Sequence, residues 1–198
     1  MIEALDGLLR QPAALCEMAR VAASIADGRG AARVAAACGD MMAGIGLRVA
    51  GPADGAQVWR WRNAPAARAA SRVTDEIPLD AHLAWYDRAI ADPRRVILVG
   101  RAAGVDVGMV RFDETAAGMW EVSIALEPAC AGRGLGGRLL QRACAWMRAE
   151  HVVRRFSAMA RETNAASLRI FEKNGFAIGA PLEGWVAMTT ERHGHGAA

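Results

Sequence analysis

The sequence predicts a mixed α+β fold in which one central sheet contains both antiparallel and parallel strands. Two patterns predict it: three strand-like runs joined by short turns, and then an alternation of helical and strand patterns. Short turns are typical of antiparallel hairpins, whereas a strand, a helix and a second strand form a parallel crossover. The expected architecture is therefore an antiparallel meander followed by a βαβ unit.

The first 45 residues differ in composition from the rest of the chain. They contain no Trp, Phe or Tyr, and their apolar residues recur at helical spacing on both sides of a break at 27–30. We predict a helical N-terminal segment over 1–45, one sheet-containing domain over 46–192, and a flexible tail over 193–198.

The elements of the domain follow in order. A short strand at 47–50 precedes a helix that Pro52 opens, and Asp80 is expected to cap a second helix that ends before Pro93. Runs rich in Val, Ile and Leu predict the three meander strands, at 95–100, 105–113 and 119–126. The remaining pattern predicts helices at 135–150 and 164–174 and strands at 155–160, 176–178 and 185–190.

Composition excludes several classes of protein. Hydrophobic residues make up 53% of the 198 residues, which is enough for a full core and excludes a wholly disordered chain. No run approaches the ~18–20 apolar residues of a membrane helix. A net charge of +3 gives no argument for nucleic acid, and the four cysteines lack metal-ligand spacing. A cytoplasmic protein without a metal, membrane or nucleic-acid partner is expected.

A glycine-rich turn at 132–137 joins the third meander strand to the following helix. Glycines let a backbone bend sharply and let a phosphate approach the N–H groups at the positive end of a helix. The turn also fits the dinucleotide pattern G-x-G-x-x-G, but five residues separate it from the strand, where a dinucleotide fold has none. A phosphate-binding P-loop is excluded because no Gly-Lys-Ser/Thr follows.

A second motif lies after the next strand, with Asn164, Ser167, Phe171 and the pair Gly175-Phe176. Together with the glycine turn it resembles the GNAT superfamily of acyl-CoA-dependent N-acetyltransferases over roughly residues 47–191. The resemblance implies the GNAT fold, acetyl-CoA as the co-substrate, and direct transfer of an acetyl group to an amine.

The resemblance also implies roles for individual residues. The last meander strand splays from its neighbour and its backbone binds the pantetheine arm, while Glu121 on that strand acts through water as general base. A structural alternative for Glu121 is an ion pair with an arginine on a neighbouring strand. The implied cofactor-binding residues are Ile124, Ala125, Leu126, Gly132, Arg133, Gly134, Gly136, Gly137, Asn164 and Phe171.

Two positions depart from the family pattern. Ala131 replaces the usual Gln or Arg of the glycine motif, and Arg133 is a candidate replacement for the missing pyrophosphate contact. Phe171 stands where many relatives carry a tyrosine that protonates the departing CoA thiolate, and a phenyl ring donates no proton. Four alternatives to a tyrosine acid remain. Water or another side chain protonates the thiolate, the thiolate leaves unassisted, or the protein binds acyl-CoA without turnover.

The acceptor side is predicted from the first half of the domain. Its tryptophans and arginines resemble those of GNAT enzymes that acetylate nucleotide-linked 4-amino-sugars in pseudaminic-acid biosynthesis. Such side chains suit a base or sugar face and a diphosphate. The candidate acceptor residues are Arg62, Asn63, His82 and Trp85.

The N-terminal segment resembles the closing helices of the UDP-sugar hydrolase of the same pathway, which points to the same substrate. The expected function is therefore acetylation of a UDP-linked amino sugar, with a homodimer as a possible assembly. Two alternatives remain: acetylation of a protein N-terminus or small amine, and a non-catalytic module that binds acyl-CoA beside a sugar enzyme.

Overall fold

The computed structural model describes residues 44–102 and 104–190. The predicted helical segment 1–45 and the tail 193–198 therefore lie outside the described residues, apart from Gly44 and Ile45. In the described part, the chain forms a mixed α+β fold, as the sequence predicts. Its seven strands are β1 (Gly46–Val49), β2 (Arg95–Ala102), β3 (Val105–Ala116), β4 (Met119–Leu126), β5 (Arg155–Arg161), β6 (Ala177–Leu182) and β7 (Trp185–Thr189).

The helices cover both faces of this sheet. They are α1 (Gly55–Asn63), α2 (Pro65–Ala69), α3 (Leu79–Ala91), α4 (Leu135–Glu150) and α5 (Ala165–Lys173). Short 3₁₀ turns at Pro52–Asp54 and Pro128–Cys130 precede α1 and α4.

One sheet contains all seven strands, in the order β1-β2-β3-β4-β5-β7-β6. The strands β1 to β4 form an antiparallel meander, β4 and β5 are parallel, and β5, β7 and β6 are antiparallel. The parallel pair needs a crossover, which α4 supplies. The meander and the βαβ unit predicted from the sequence are both confirmed.

The core has two parts because the central strands are buried on both faces. On one face, α4 presents Leu135, Leu139 and Met147, which are spaced by four and eight residues, to the sheet. On the other face, Val58 and Trp61 of α1 and residues of α3 pack against β2 and β3. Full burial of each such side chain contributes about 1.5–3 kcal/mol.

Three local features differ from the sequence predictions. The helix α3 begins at Leu79, and Pro78 precedes it with an extended backbone, so Asp80 lies in the first turn and does not cap the helix. Its carboxylate there still suits the positive end of the helix dipole. The short α2 was not predicted, and β6 continues past Gly179 and Pro181 because an edge strand with a bulge tolerates both.

Candidate active site

The strands β4 and β5 diverge after a short parallel contact. Their pairing covers only 119–121 of β4 and 155–157 of β5, after which β4 stays with β3 and β5 stays with β7. Backbone groups of the downstream halves therefore face a gap instead of a neighbouring strand. Such an edge can pair with an extended ligand.

A cavity of about 320 Å³ opens at this gap, and we name it the outer cavity. The strands β4 and β5, helix α5 and the loop after α2 all contribute to its wall. Its lining residues are Arg62, Ala67, Ala70, Ser71, Arg72, Val73, Met109, Arg111, Glu121, Val122, Ser123, Ile124, Ala125, Met159, Ala160, Asn164, Ser167, Phe171 and Trp185.

Four of the predicted cofactor residues line the outer cavity: Ile124, Ala125, Asn164 and Phe171. The side chain of Asn164 accepts a hydrogen bond of 3.1 Å from the Ser167 N–H and so caps α5. Phe171 is buried, with its ring edge-to-face against Phe176 at 4.9 Å between centroids. The structure therefore gives Asn164 and Phe171 packing or capping roles as well as a place in the cavity wall.

The remaining cofactor candidates lie at the start of α4. Gly132 and Gly134 have φ of +74° and +75°, and an ideal Cβ at either position would meet no atom within 4 Å. Gly134 precedes α4 without a side-chain cap, so the first N–H groups of α4 have no side-chain acceptor at that position. This geometry fits a phosphate group. Arg133 is exposed in the same turn.

The other glycines of the turn are held closer to protein atoms. A Cβ at Gly136 would lie 2.8 Å from Ile170 Cδ1 and 3.2 Å from Leu126 Cδ1, so Gly136 lets α4 pack closely on α5 and β4. A Cβ at Gly137 would lie 3.7 Å from Asn174 Nδ2, an ordinary contact. The predicted residue Leu126 packs against the core beside Gly136.

Glu121 lies where β4 and β5 begin to diverge. Its side chain is exposed and lines the outer cavity, and its cross-strand neighbours are Asp113 on β3 and Ser157 on β5. Within residues 44–102 and 104–190, the ion pairs do not include Glu121. Among these residues Glu121 therefore has no arginine within ion-pair distance, and its general-base role stays a prediction.

A second cavity, which we name the inner cavity, has a volume of about 230 Å³. It shares Arg62, Met109 and Arg111 with the outer cavity, so the two adjoin at these residues, which we name the neck. Its remaining lining residues are Val58, Ile77, Ala81, His82 and Trp85. Three of the predicted acceptor residues, Arg62, His82 and Trp85, therefore lie in one cavity.

His82 is a buried neutral group in the wall of the inner cavity. Its side chain is 3% exposed, and its ring lies 5.3 Å from the Trp85 ring between centroids. Burial lowers the pKa of His82, the charge of Arg62 lowers it further, and a hydrogen bond with the Gly55 backbone opposes both. His82 Nε2 is buried without a hydrogen-bond partner in the protein. It is available to a polar group inside the cavity.

Asn63 lies outside the lining of both cavities. Its side chain accepts a hydrogen bond of 3.0 Å from the Ile77 N–H and donates one of 2.8 Å to the Ile77 carbonyl. Trp59 Nε1 donates to the same carbonyl at 2.7 Å. These bonds hold the chain segment 70–78, which supplies wall residues to both cavities. Asn63 therefore helps to position Ile77, which lines the inner cavity.

Sequence reasoning did not single out Arg111, Arg161 or Trp185. Arg161 lies over the Trp185 ring at 4.8 Å and donates a hydrogen bond of 3.0 Å to the Ser71 carbonyl. Arg72 also lies over the Trp185 ring, 5.6 Å from its centroid. Only chain folding brings these residues together, so no local pattern in the sequence signals them.

The family is shown by sequence and by structure. The chain belongs to the GNAT acetyltransferase family, because the profile of the acetyltransferase (GNAT) domain matches residues 45–177. No curated protein matches the chain by sequence. The solved structure of yncA, a proposed acetyltransferase from Salmonella typhimurium with its cofactor acetyl-CoA, is 26% identical and has a TM-score of 0.64. The match covers 78% of this chain and 97% of yncA.

Two more distant structures share the fold. Spermidine N-acetyltransferase from Vibrio cholerae, solved with CoA and spermine, is 16% identical with a TM-score of 0.67, covering 76% of this chain and 96% of that one. The aminoglycoside acetyltransferase AAC(6')-Ib, solved with coenzyme A, is 17% identical with a TM-score of 0.63, covering 75% of this chain and 95% of that one.

This protein is accordingly an N-acetyltransferase that uses acetyl-CoA. Within the described residues, no group of His, Cys, Asp and Glu side chains is arranged to hold a metal ion. None of the helices in the described ranges has the length and apolar character needed to cross a membrane.

Proposed function

We propose that this enzyme acetylates the amine of a nucleotide-linked amino sugar, with Glu121 as the general base. The proposal depends on one observation: the outer cavity joins the unpaired edge of β4 to a wall that contains Arg62, Arg72 and Arg111. The strand edge suits the pantetheine arm, and the arginine wall suits the diphosphate of an activated sugar.

The cofactor would occupy two places in the described structure. The uncapped start of α4, with its two left-handed glycines, would hold the pyrophosphate. The backbone of Ile124, Ala125 and Leu126 would pair with the pantetheine arm, and Asn164 and Phe171 would border it. Acetyl-CoA supplies an acetyl group activated as a thioester when it is bound.

The residues of this chain would then serve three tasks. Glu121 takes a proton from the ammonium group of the acceptor, directly or through water, and leaves a neutral nucleophilic amine. A backbone N–H of β4 donates to the thioester carbonyl oxygen and stabilises the charge that develops on it. The amine forms the new C–N bond, the C–S bond breaks, and the amine passes its second proton to solvent water. Phe171 donates no proton to the departing thiolate, which leaves this task to solvent.

The decisive experiment measures thiol release by the full-length protein with acetyl-CoA and three classes of amine: UDP-linked 4-amino-sugars, peptides with free N-termini, and simple amines. The highest kcat/KM is expected for a UDP-linked amino sugar, and mass spectrometry of the product should show an N-acetyl group. A clear preference for peptides or simple amines would replace the proposed acceptor. Binding of acetyl-CoA without turnover of any amine would indicate a non-catalytic module.

A further inference from the structure

The neck between the two cavities holds an unusual pair of positive charges. Arg62 comes from the last turn of α1 and Arg111 from β3, and both line the outer and the inner cavity. Two positive charges that line the same cavity repel each other, and burial weakens the solvation that normally offsets this repulsion.

Arg62 has no counter-ion among the residues that the structure describes. Its Nη1 is buried and makes no hydrogen bond with the described part of the chain. There, its side chain makes a single hydrogen bond, a long one of 3.4 Å from Nη2 to the Val73 carbonyl. In the described ranges, no carboxylate lies in an ion pair with Arg62. Burial and the neighbouring charge of Arg111 lower the pKa of Arg62, because both disfavour its positively charged form.

Arg111 is only partly neutralised. Its Nε lies 2.8 Å from Asp113 Oδ2, yet it is out of line for a hydrogen bond. Asp113 also pairs with Arg95, and both Arg95 and Arg111 lie over the Trp85 ring, at 5.5 and 5.7 Å. Asp113 is therefore shared by two arginines, and Arg62 has no carboxylate partner within the described ranges.

We propose that Arg62 and Arg111 form a binding site for an oxyanion of the acceptor, a carboxylate or a phosphate. This inference rests on the proposed acetylation of an amine and specifies the chemical class of that amine. Guanidinium groups donate paired hydrogen bonds to carboxylate and phosphate oxygens, and an oxyanion in the neck would satisfy the buried Nη1 of Arg62.

The charges along the outer cavity agree with an acceptor that is positive at one end and negative at the other. Among the described residues that line the two cavities, Glu121 is the only one with a carboxylate, and it lies on β4 with the residues proposed to bind the cofactor. Its charge suits the ammonium end of the acceptor, whereas the neck suits the anionic end. The acceptor would therefore bind in one orientation, with the amine toward β4.

The experiment compares acceptors that differ only in the anion, with the full-length protein. One pair is an amino acid and its carboxamide, and the other is a UDP-linked amino sugar and the free amino sugar. The anionic member is expected to have a KM roughly 10- to 100-fold lower, because charge-assisted hydrogen bonds are lost in its partner. The pair that shows the larger difference identifies the anion as carboxylate or phosphate. Equal KM values within both pairs would overturn the proposal.

Substitutions of the two arginines test whether the preference for the anionic acceptor arises at the neck. Arg62→Gln and Arg111→Gln should raise KM for the anionic acceptor by roughly 10- to 100-fold, with little change for the neutral partner and for acetyl-CoA. Arg169→Gln is the matched control, because Arg169 is exposed on α5 and lines neither cavity. An equal loss for both members of a pair would indicate a merely structural role and contradict the proposal. The comparison of acceptors with the unaltered protein remains decisive if a variant does not fold.

Failure of this inference can be separated from failure of the proposed function. Calorimetric titration of the same acceptor pairs, without acetyl-CoA, reports anion binding even if none of the amines is acetylated. Tighter binding of the anionic members, weakened by Arg62→Gln, would support the oxyanion site alone. Equal affinity for charged and neutral members would exclude the site whatever the enzyme acetylates.

Discussion

Glu121 is the residue on which the chemistry of the proposed reaction depends. It faces the outer cavity from the point where β4 leaves β5, and its carboxylate has no arginine partner in the described ranges. Phe171, in contrast, both packs on Phe176 and lines the outer cavity.

Glu121→Gln is expected to lower kcat/KM by about 100-fold near neutral pH, because general bases contribute roughly 10²- to 10⁴-fold. The deficit should shrink at high pH, where the amine loses its proton without help. Measuring kcat/KM of the unaltered protein and of Glu121→Gln across the pH range tests both expectations. Glu150→Gln, on the exposed end of α4, is the control. A deficit that is the same at every pH would argue against a base role.

His82 is expected to make the stability of the fold depend on pH. Its pKa in the folded protein lies below the ordinary value of 6.5, so the unfolded chain takes up a proton first as the pH falls. The free energy of unfolding should therefore decrease below about pH 6.5, by at most about 1.4 kcal/mol per pH unit, until the folded protein also binds the proton.

Urea unfolding at several pH values between about 4 and 8 measures this effect, with His82→Gln as the comparison. The difference between the two proteins isolates His82 from the other titrating groups. Identical slopes in both proteins would show that His82 takes up its proton as readily when folded as when unfolded.

At the scale of single elements, the departure of β4 from β5 creates the site, and β3 helps to hold β4 in place. Gly108 of β3 lies opposite Leu126 at the end of β4 and has φ of +152°. An ideal Cβ there would lie only 2.4 Å from the Ala125 carbonyl oxygen and 2.9 Å from Leu126 Cα. This glycine therefore permits the close approach of β3 to the residues that would bind the cofactor.

Gly108→Ala should destabilise the protein by about 1–3 kcal/mol and raise KM for acetyl-CoA, because β4 must move at Ala125 and Leu126. Thermal unfolding and steady-state kinetics measure the two effects. Gly51→Ala is the matched control: Gly51 has φ of −118° and open space around its Cβ position, so a change within about 0.5 kcal/mol is expected. An unchanged KM for acetyl-CoA in Gly108→Ala would contradict a link between this contact and cofactor binding.

At the scale of the whole molecule, the sheet joins two cores, and polar contacts tie the edge of the sheet to the helices on one face. Arg48 of β1 donates to both carboxylate oxygens of Asp54, at 2.6 and 2.7 Å, and to Asp106 of β3 at 2.9 Å. The Gly51 N–H donates to Asp54 at 2.8 Å. This network sets where the chain leaves β1 and begins α1, and α1 carries Arg62 to the neck.

Asp54→Asn is expected to destabilise the fold by about 1–2 kcal/mol near neutral pH, a moderate value because Arg48 is partly exposed and water screens the pair. The hydrogen bond from Arg48 is the main reason why the pKa of Asp54 lies below its ordinary value of 3.8. The contribution is therefore complete above about pH 3.8 and is lost as the pH falls through the lower, folded value.

Urea unfolding at neutral and acidic pH tests this, with Asp87→Asn on the exposed side of α3 as the control. The difference between Asp54→Asn and the unaltered protein should narrow in acid. If the two proteins still differ in free energy of unfolding at the lowest pH, the loss in Asp54→Asn would come from altered packing and not from the lost charge.

Much of the fold was predictable because the relevant interactions are local. Helical spacing of apolar residues predicted α4 at its observed bounds, Leu135–Glu150, and the run of β4 was predicted at Met119–Leu126. The start of α3 was predicted wrongly because the extended backbone of Pro78 sets it, and Asp80 only resembles a cap in the sequence. The glycine turn was also predictable, since left-handed backbone conformations favour glycine.

The sequence by itself determined the order of strands and helices and the family's two motifs, because a periodic pattern and a glycine turn each depend on neighbouring residues. Only the tertiary structure decided which distant side chains meet. Arg62 and Arg111 reach one neck because α1 packs on the face of the sheet to which β3 directs Arg111, and Asn63 is turned to Ile77 by the same packing. Such meetings depend on register and helix placement, which no local stretch of sequence encodes.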